Sequence, residues 1–289
     1  PFLGRLEPFY GWYKRVSSNN MTTMKQTLLL LTLTVFGLTS CEQKQTTEIR
    51  DDFKKYYDQF NVNGSFLLYD QQKNKYIVYN QAQTNQAFTP ASTYKICNSL
   101  IGLETGVIKD ENFVIRWDSV IRQNPKWNGD HDLKTAFKNS TVWYYQELAR
   151  RVGGQKMKYW LDKTKYGNAD TSGGIDRFWL RGGLRITPQQ QIDFLIKLHD
   201  NKLPFSQRSM DIVKKIMIVN DTLDYVIRGK SGWGEQPDSE DIGWFVGYLE
   251  TKDNTYYFAN CIQTKDFNKA NARKDIVYLI LYDLNLTNR

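Results

Sequence analysis

Apolar positions follow two rhythms along this chain, and the switches between them outline its architecture. Alternation rich in aromatic and β-branched residues marks 64–70 and 75–79 as strands, with 71–74 as the hairpin turn. The same alternation returns over 225–231, 242–249 and 256–262, again at hairpin spacing. Helical spacing places Ile96, Leu100 and Leu103 on one face of a helix that Pro90 precedes and Gly106 ends. Residues 53–60 read as a short helix with aromatics on one side, and 133–161 as successive helices broken at Gly153-Gly154. Thr187 as N-cap and Pro188 at the first helical position open another helix. Its Ile192, Leu195 and Ile196 face inward and His199 ends it; a last helix spans 272–284. Stretches 110–132 and 165–184 have no periodicity.

Strands at both ends with helices between predict an α+β fold. One central antiparallel sheet, drawn from 60–80 and 223–263, is flanked by helices, and a helical lobe over about 107–222 is inserted into it. A cleft between sheet and lobe is the natural place for a ligand.

The first 50 residues do not share this patterning. Met24-Lys25 followed by the apolar run 28–38 reads as a secretion signal, too short to span a bilayer as a mature helix. It ends in Leu38-Thr39-Ser40-Cys41, which resembles a bacterial lipobox and implies lipidation at Cys41. The expected division is an upstream extension over 1–23, a lipoprotein signal over 24–40, a tether over 41–50 and a catalytic domain over 51–289. The protein is then exported and periplasmic, held to a membrane only by that lipid.

Composition narrows the partners. Hydrophobic residues at 40% and aromatics at 14% call for a folded core. The net charge is +8, but four basic and one acidic residue lie in the first 40, leaving 35 basic against 30 acidic, scattered without a phosphate-tracking run. Nucleic acid is therefore not an expected partner, and no protein partner is implied. Beyond Cys41 there are only Cys97 and Cys261, read as buried free thiols, and with two histidines no metal site is expected.

The candidate chemistry starts at Ser92-Thr93-Tyr94-Lys95, where hydroxyl and amine share one face of a helix's first turn. Unpaired N–H groups at a helix start suit an oxyanion, so nucleophile, base and oxyanion donors coincide here. A serine at this place can equally be a plain N-cap. Four further stretches carry polar or aromatic groups: Ser140-Thr141-Val142, Tyr166-Gly167-Asn168, Phe178-Trp179-Leu180 and Lys230-Ser231-Gly232-Trp233. Taken singly, Ser140 can cap a helix, the second can be a turn, and Trp179 can be core. Gly229-Lys230-Ser231 is not a phosphate-binding loop, because Asp224 stands where that loop needs its first glycine.

In this order and spacing the stretches resemble the class D, oxacillin-hydrolysing, serine β-lactamases, over nearly all of 60–285. The resemblance implies a penicillin-binding-protein transpeptidase-like fold and a β-lactam substrate opened through a serine acyl-enzyme. It implies Ser92 as nucleophile and Lys95, carboxylated by CO₂ or bicarbonate, as general base, with the Trp179 indole holding the carbamate. It implies a proton relay through Ser140, a positive potential from Lys230 and an oxyanion hole from the backbone N–H groups of Ser92 and Trp233. Val142, Leu180, Ser231, Gly232, Trp233 and Arg273 would bind substrate, with Ser231 and Arg273 on its carboxylate; Ile96, Val142 and Leu180 would keep Lys95 dry. No other cofactor is implied. The competing expectations are a penicillin-sensing domain that acylates without turnover and a D-Ala-D-Ala peptidase. A Ser-His-Asp hydrolase would have to use His131 or His199.

Overall fold

The computed structural model describes residues 1, 44–236 and 238–288, and Lys44–Arg289 pack as one compact unit. The signal and Cys41 readings therefore lie outside the described residues. Among the described residues no helix is long and apolar enough to cross a membrane.

Seven strands form one sheet in the order β1-β3-β2-β7-β6-β5-β4. They are β1 Thr46–Ile49, β2 Asn63–Asp70, β3 Lys75–Tyr79, β4 Ile218–Asp221, β5 Tyr225–Gly234, β6 Asp241–Thr251 and β7 Thr255–Thr264. β2 and β7 pair in the middle, so the two ends of the chain meet there, as the strand pattern predicts. Nine α-helices are described: α1 Lys54–Phe60, α2 Gln81–Thr84, α3 Lys95–Glu104, α4 Leu133–Lys138, α5 Val142–Val152, α6 Gly154–Thr164, α7 Pro188–His199, α8 Gln207–Ile216 and α9 Ala272–Asp283.

The sheet is covered on both faces, which is why its central strands are apolar almost throughout. α1 and α9 cover one face over Phe66, Leu68, Phe245, Phe258 and Ile262. The helical lobe and α7 cover the other over Trp244, Val246, Tyr248 and Tyr257. Thr187 caps α7 through a full capping box with Gln190, and Pro188 takes the first helical position.

Three expectations are corrected. The tether is in part structure: Thr46–Ile49 pair with β3, and pair parallel, so the sheet is antiparallel except at this edge. A short, mostly exposed edge strand of Thr46, Thr47, Glu48 and Ile49 carries no alternation to read. α8 and β4 lie inside a stretch with no predicted element. α8 buries only Ser209, Met210, Val213 and Ile216 among polar neighbours, and β4 is largely exposed. Strand structure thus begins at Ile218, inside the range assigned to the lobe.

Candidate active site

Ser92 sits in a tight 3-10 turn, Ala91–Tyr94, that runs straight into α3. Pro90 holds the N-cap position of this turn and Tyr94 that of α3, which removes the N-cap reading for Ser92. The turn is forced: Ala91 has φ +49°, a left-handed conformation that an alanine adopts only when its surroundings hold it. Several elements do so. Ala91 N donates to the Trp179 carbonyl at 3.0 Å. Trp244 Nε1 donates to the Thr89 carbonyl at 2.9 Å, and Gln191 Nε2 to Thr93 Oγ1 at 2.8 Å. Gly232 on β5 closes the other side; a Cβ there would lie 3.1 Å from the Pro90 carbonyl oxygen and 3.3 Å from Ser92 N. Glycine therefore lets the strand backbone reach the first turn, where N–H groups have no intrahelical acceptor.

One turn on, Lys95 is fully buried and its Nζ donates to Ser92 Oγ at 2.7 Å. Burial pulls its pKa from 10.5 to about 7, because a charged amine there loses its hydration without an opposite charge to replace it. Near neutrality a large fraction is the free amine, which can accept the Ser92 proton along the same contact. Ile96 is buried in the core, and Val142 and Leu180 are half-buried at the cavity wall. The ring facing Nζ, at 5.1 Å, belongs to Tyr145, which none of the sequence motifs contains. Its place one helical turn after Val142, in α5, is the signal that could have found it. Tyr145 is fixed by a 2.9 Å hydrogen bond between its hydroxyl and Ser99 Oγ.

Trp179 comes from the irregular 165–184 stretch, and its ring packs at 5.4 Å from Tyr94 and 4.9 Å from Phe178. It is fully buried, and its Nε1 has no hydrogen-bond partner. A buried indole N–H without an acceptor costs free energy, so an acceptor placed against it would be stabilising. Tyr166-Gly167-Asn168 clamps this stretch. Asn168 N donates to the Arg185 carbonyl at 2.9 Å, Asn168 Nδ2 to the Gly183 carbonyl at 2.9 Å, and Arg185 N returns to Asn168 Oδ1 at 2.9 Å. Gly167 has φ +55°, and a Cβ there would fall on the Arg185 carbonyl.

Ser140 does not cap α5; Thr141 holds the N-cap position. Ser140 lies at φ +54°, which turns its hydroxyl to accept from Lys230 Nζ at 3.0 Å. Lys230 also donates to the Ser231 carbonyl at 2.9 Å. Burial, and then Lys95, Lys274 and Arg273, push its pKa well below the usual lysine value. Arg273, on the first turn of α9, stands 5.9 Å from the Trp233 ring, donates from Nη1 to the Ala270 carbonyl and leaves Nε unpaired. Burial lowers its pKa to about 10, so it stays cationic at neutral pH.

These groups meet at one cavity of about 1000 Å³, lined by Ser92, Ser140, Val142, Leu180, Ser231, Gly232, Trp233 and Arg273. Lys95, Trp179 and Lys230 stand behind that wall, in contact with the serines or the turn. Trp127, Lys138, Arg181 and Glu235 also line it, and nothing in the local sequence distinguished them. The histidines are elsewhere: His131 is buried against Trp143, and His199 bonds Tyr257. A Ser-His-Asp arrangement is excluded. Cys97 and Cys261 are both buried and free.

Residues 57–282 match the penicillin binding protein transpeptidase domain family. The chain is 45% identical over 204 residues to beta-lactamase OXA-48 of Klebsiella pneumoniae, covering 71% of this chain and 77% of that protein. It is 35% identical over 231 residues to the regulatory protein BlaR1 of Bacillus licheniformis, covering 80% of this chain and 38% of that longer protein. A solved class D beta-lactamase, YbXI from Nostoc, superposes with a TM-score of 0.79 at 46% identity, covering 81% of this chain and 99% of its own.

Proposed function

The chain belongs to the class D β-lactamases, and from that premise we propose that it opens β-lactam rings through an acyl-enzyme on Ser92 and releases the product with water. The observation that carries the reading is the 2.7 Å contact between Ser92 Oγ and a lysine whose pKa burial has lowered to about 7. Ser92 Oγ attacks the lactam carbonyl while Lys95 takes its proton. The backbone N–H groups of Ser92 and Trp233 receive the developing oxyanion, and removing one such donor typically costs about 3–4 kcal/mol of transition-state stabilisation. Ser140, bonded to Lys230, passes a proton to the departing ring nitrogen. Ser231 and Arg273 hold the substrate carboxylate, with Val142, Leu180 and Gly232 shaping the wall around it.

The residues around Lys95 suit a carbamate formed with CO₂: the amine is dry enough to be nucleophilic, and the orphaned Trp179 Nε1 offers a donor. Carboxylated, this lysine supplies a carboxylate base for both acylation and ester hydrolysis. At the N-terminus, the run 28–38 ending at Cys41 supports export and lipid attachment, with the catalytic domain following.

The test is turnover of a penicillin and of oxacillin with intact-protein mass. Wild type should hydrolyse both, faster with added bicarbonate. Ser92→Ala should neither turn over nor gain mass, and Trp179→Ala should accumulate acyl-enzyme. The similarity to BlaR1 supports a sensing domain as the second reading, and a wild-type adduct that persists without product would establish it. Turnover of D-Ala-D-Ala peptides without β-lactam turnover would establish a peptidase.

A further inference from the structure

We propose that Asn260, far from the nucleophile in sequence and fully buried in the central strand β7, is a positioning residue that holds Arg273 at the substrate cavity. This rests on the reading of Arg273 as the carboxylate-binding residue. Asn260 is a polar amide in an apolar row: its strand neighbours are Phe66 on β2 and Phe245 on β6. Phe258 and Ile262 lie two residues away on the same face. A lone amide there is costly unless both of its ends are bonded. Both are. Tyr57 Oη on α1 donates to Oδ1 at 2.6 Å, and Nδ2 donates to the carbonyl of Arg273 at 2.8 Å.

The arrangement has its own accommodation. A Cβ at Gly64 would lie 2.5 Å from Tyr57 Cε1, so glycine is what lets that ring lie flat enough to reach Asn260. At the far end, α9 starts without a side-chain cap on Asn271. Among the described residues no carboxylate pairs with the Arg273 guanidinium, and its Nε is unbonded. The bond from Asn260 therefore ties the first turn of α9 to the sheet at Arg273, the residue of that helix that lines the cavity.

The experiment is a double-mutant cycle on penicillin hydrolysis. Asn260→Leu removes both bonds while keeping the branching of the side chain. It should raise KM about 5-fold, the scale of one hydrogen bond, with kcat within about twofold of wild type. Arg273→Ala should raise KM more, and the double variant should match Arg273→Ala rather than multiply the two effects. Asn260→Asp, which keeps the acceptor for Tyr57 and loses the donor, provides the same KM-against-kcat comparison if the leucine variant does not fold. Unchanged KM in a folded Asn260 variant, or multiplicative effects in the double variant, overturns the proposal while leaving the carboxylate role of Arg273 intact. An unchanged KM in Arg273→Ala removes that role and the proposal with it.

Discussion

Lys95 has one hydroxyl and one tyrosine ring at its amine, and among the described residues no carboxylate pairs with it. In the unfolded chain the same amine regains its usual pKa of 10.5. Between pH 7 and about 10.5 the unfolded state therefore binds a proton the native state lacks, and stability rises with pH across that window. At lower pH the native state must bury a charge, which costs it stability. The lysine proposed as the base is thus a burden on the fold, and Lys95→Met should show both sides. Turnover should fall to background, while calorimetry at pH 7 should show a gain of about 2 kcal/mol, a rise in Tm of roughly 4–8 °C. In the wild type, kcat/KM should climb with pH through a limb near 7 as the amine loses its proton.

At the scale of elements, the site is made where separate pieces are pinned to the serine turn. The loop carrying Trp179 is tied by Asn168, β5 approaches through Gly232, and α7 bonds the turn through Gln191. The far end of α7 is pinned as well. His199 faces Glu250 at 3.5 Å, Asp200 at 3.1 Å and the Tyr257 hydroxyl at 2.8 Å, while Arg228 bonds the same Glu250. Glu250 first, then Asp200, raise the pKa of His199 against the opposing effect of burial. The native state then holds the proton more tightly, so this contribution is present below pH 6.5 and is lost as pH rises through the native value. His199→Gln should accordingly lower Tm by a few degrees at pH 5.5 and by less at pH 8, with kcat unchanged.

For the whole molecule the net charge of +8 matters less than where its cations gather. Among the described residues that line the cavity, Arg122, Lys138, Arg181 and Arg273 face one carboxylate, Glu235. An anionic substrate is drawn toward such a mouth, and salt weakens the attraction of the exposed groups. Raising ionic strength from 20 to 500 mM should lower kcat/KM for penicillin about 2–5-fold, mainly through KM, in initial-rate measurements.

Local residue order determined a good deal. The hairpin β2–β3, the strands β5 to β7, the capped start of α7 and the motif residues around Ser92, Ser140, Trp179 and Lys230 were all legible. Strand alternation, capping and motif spacing are short-range signals. The strand β1 and the helix α8 were not, because an exposed strand of four residues and a helix with four buried positions hold their places through neighbours rather than through their own pattern. Only the tertiary structure decided that Tyr145 faces the amine, that Asn260 bonds the Arg273 carbonyl and that Lys95 is dry. Burial and contact, across 13 positions for Asn260 and Arg273, 46 for Ser99 and Tyr145 and 203 for Tyr57 and Asn260, depend on which surfaces pack together, and residue order alone does not carry that information.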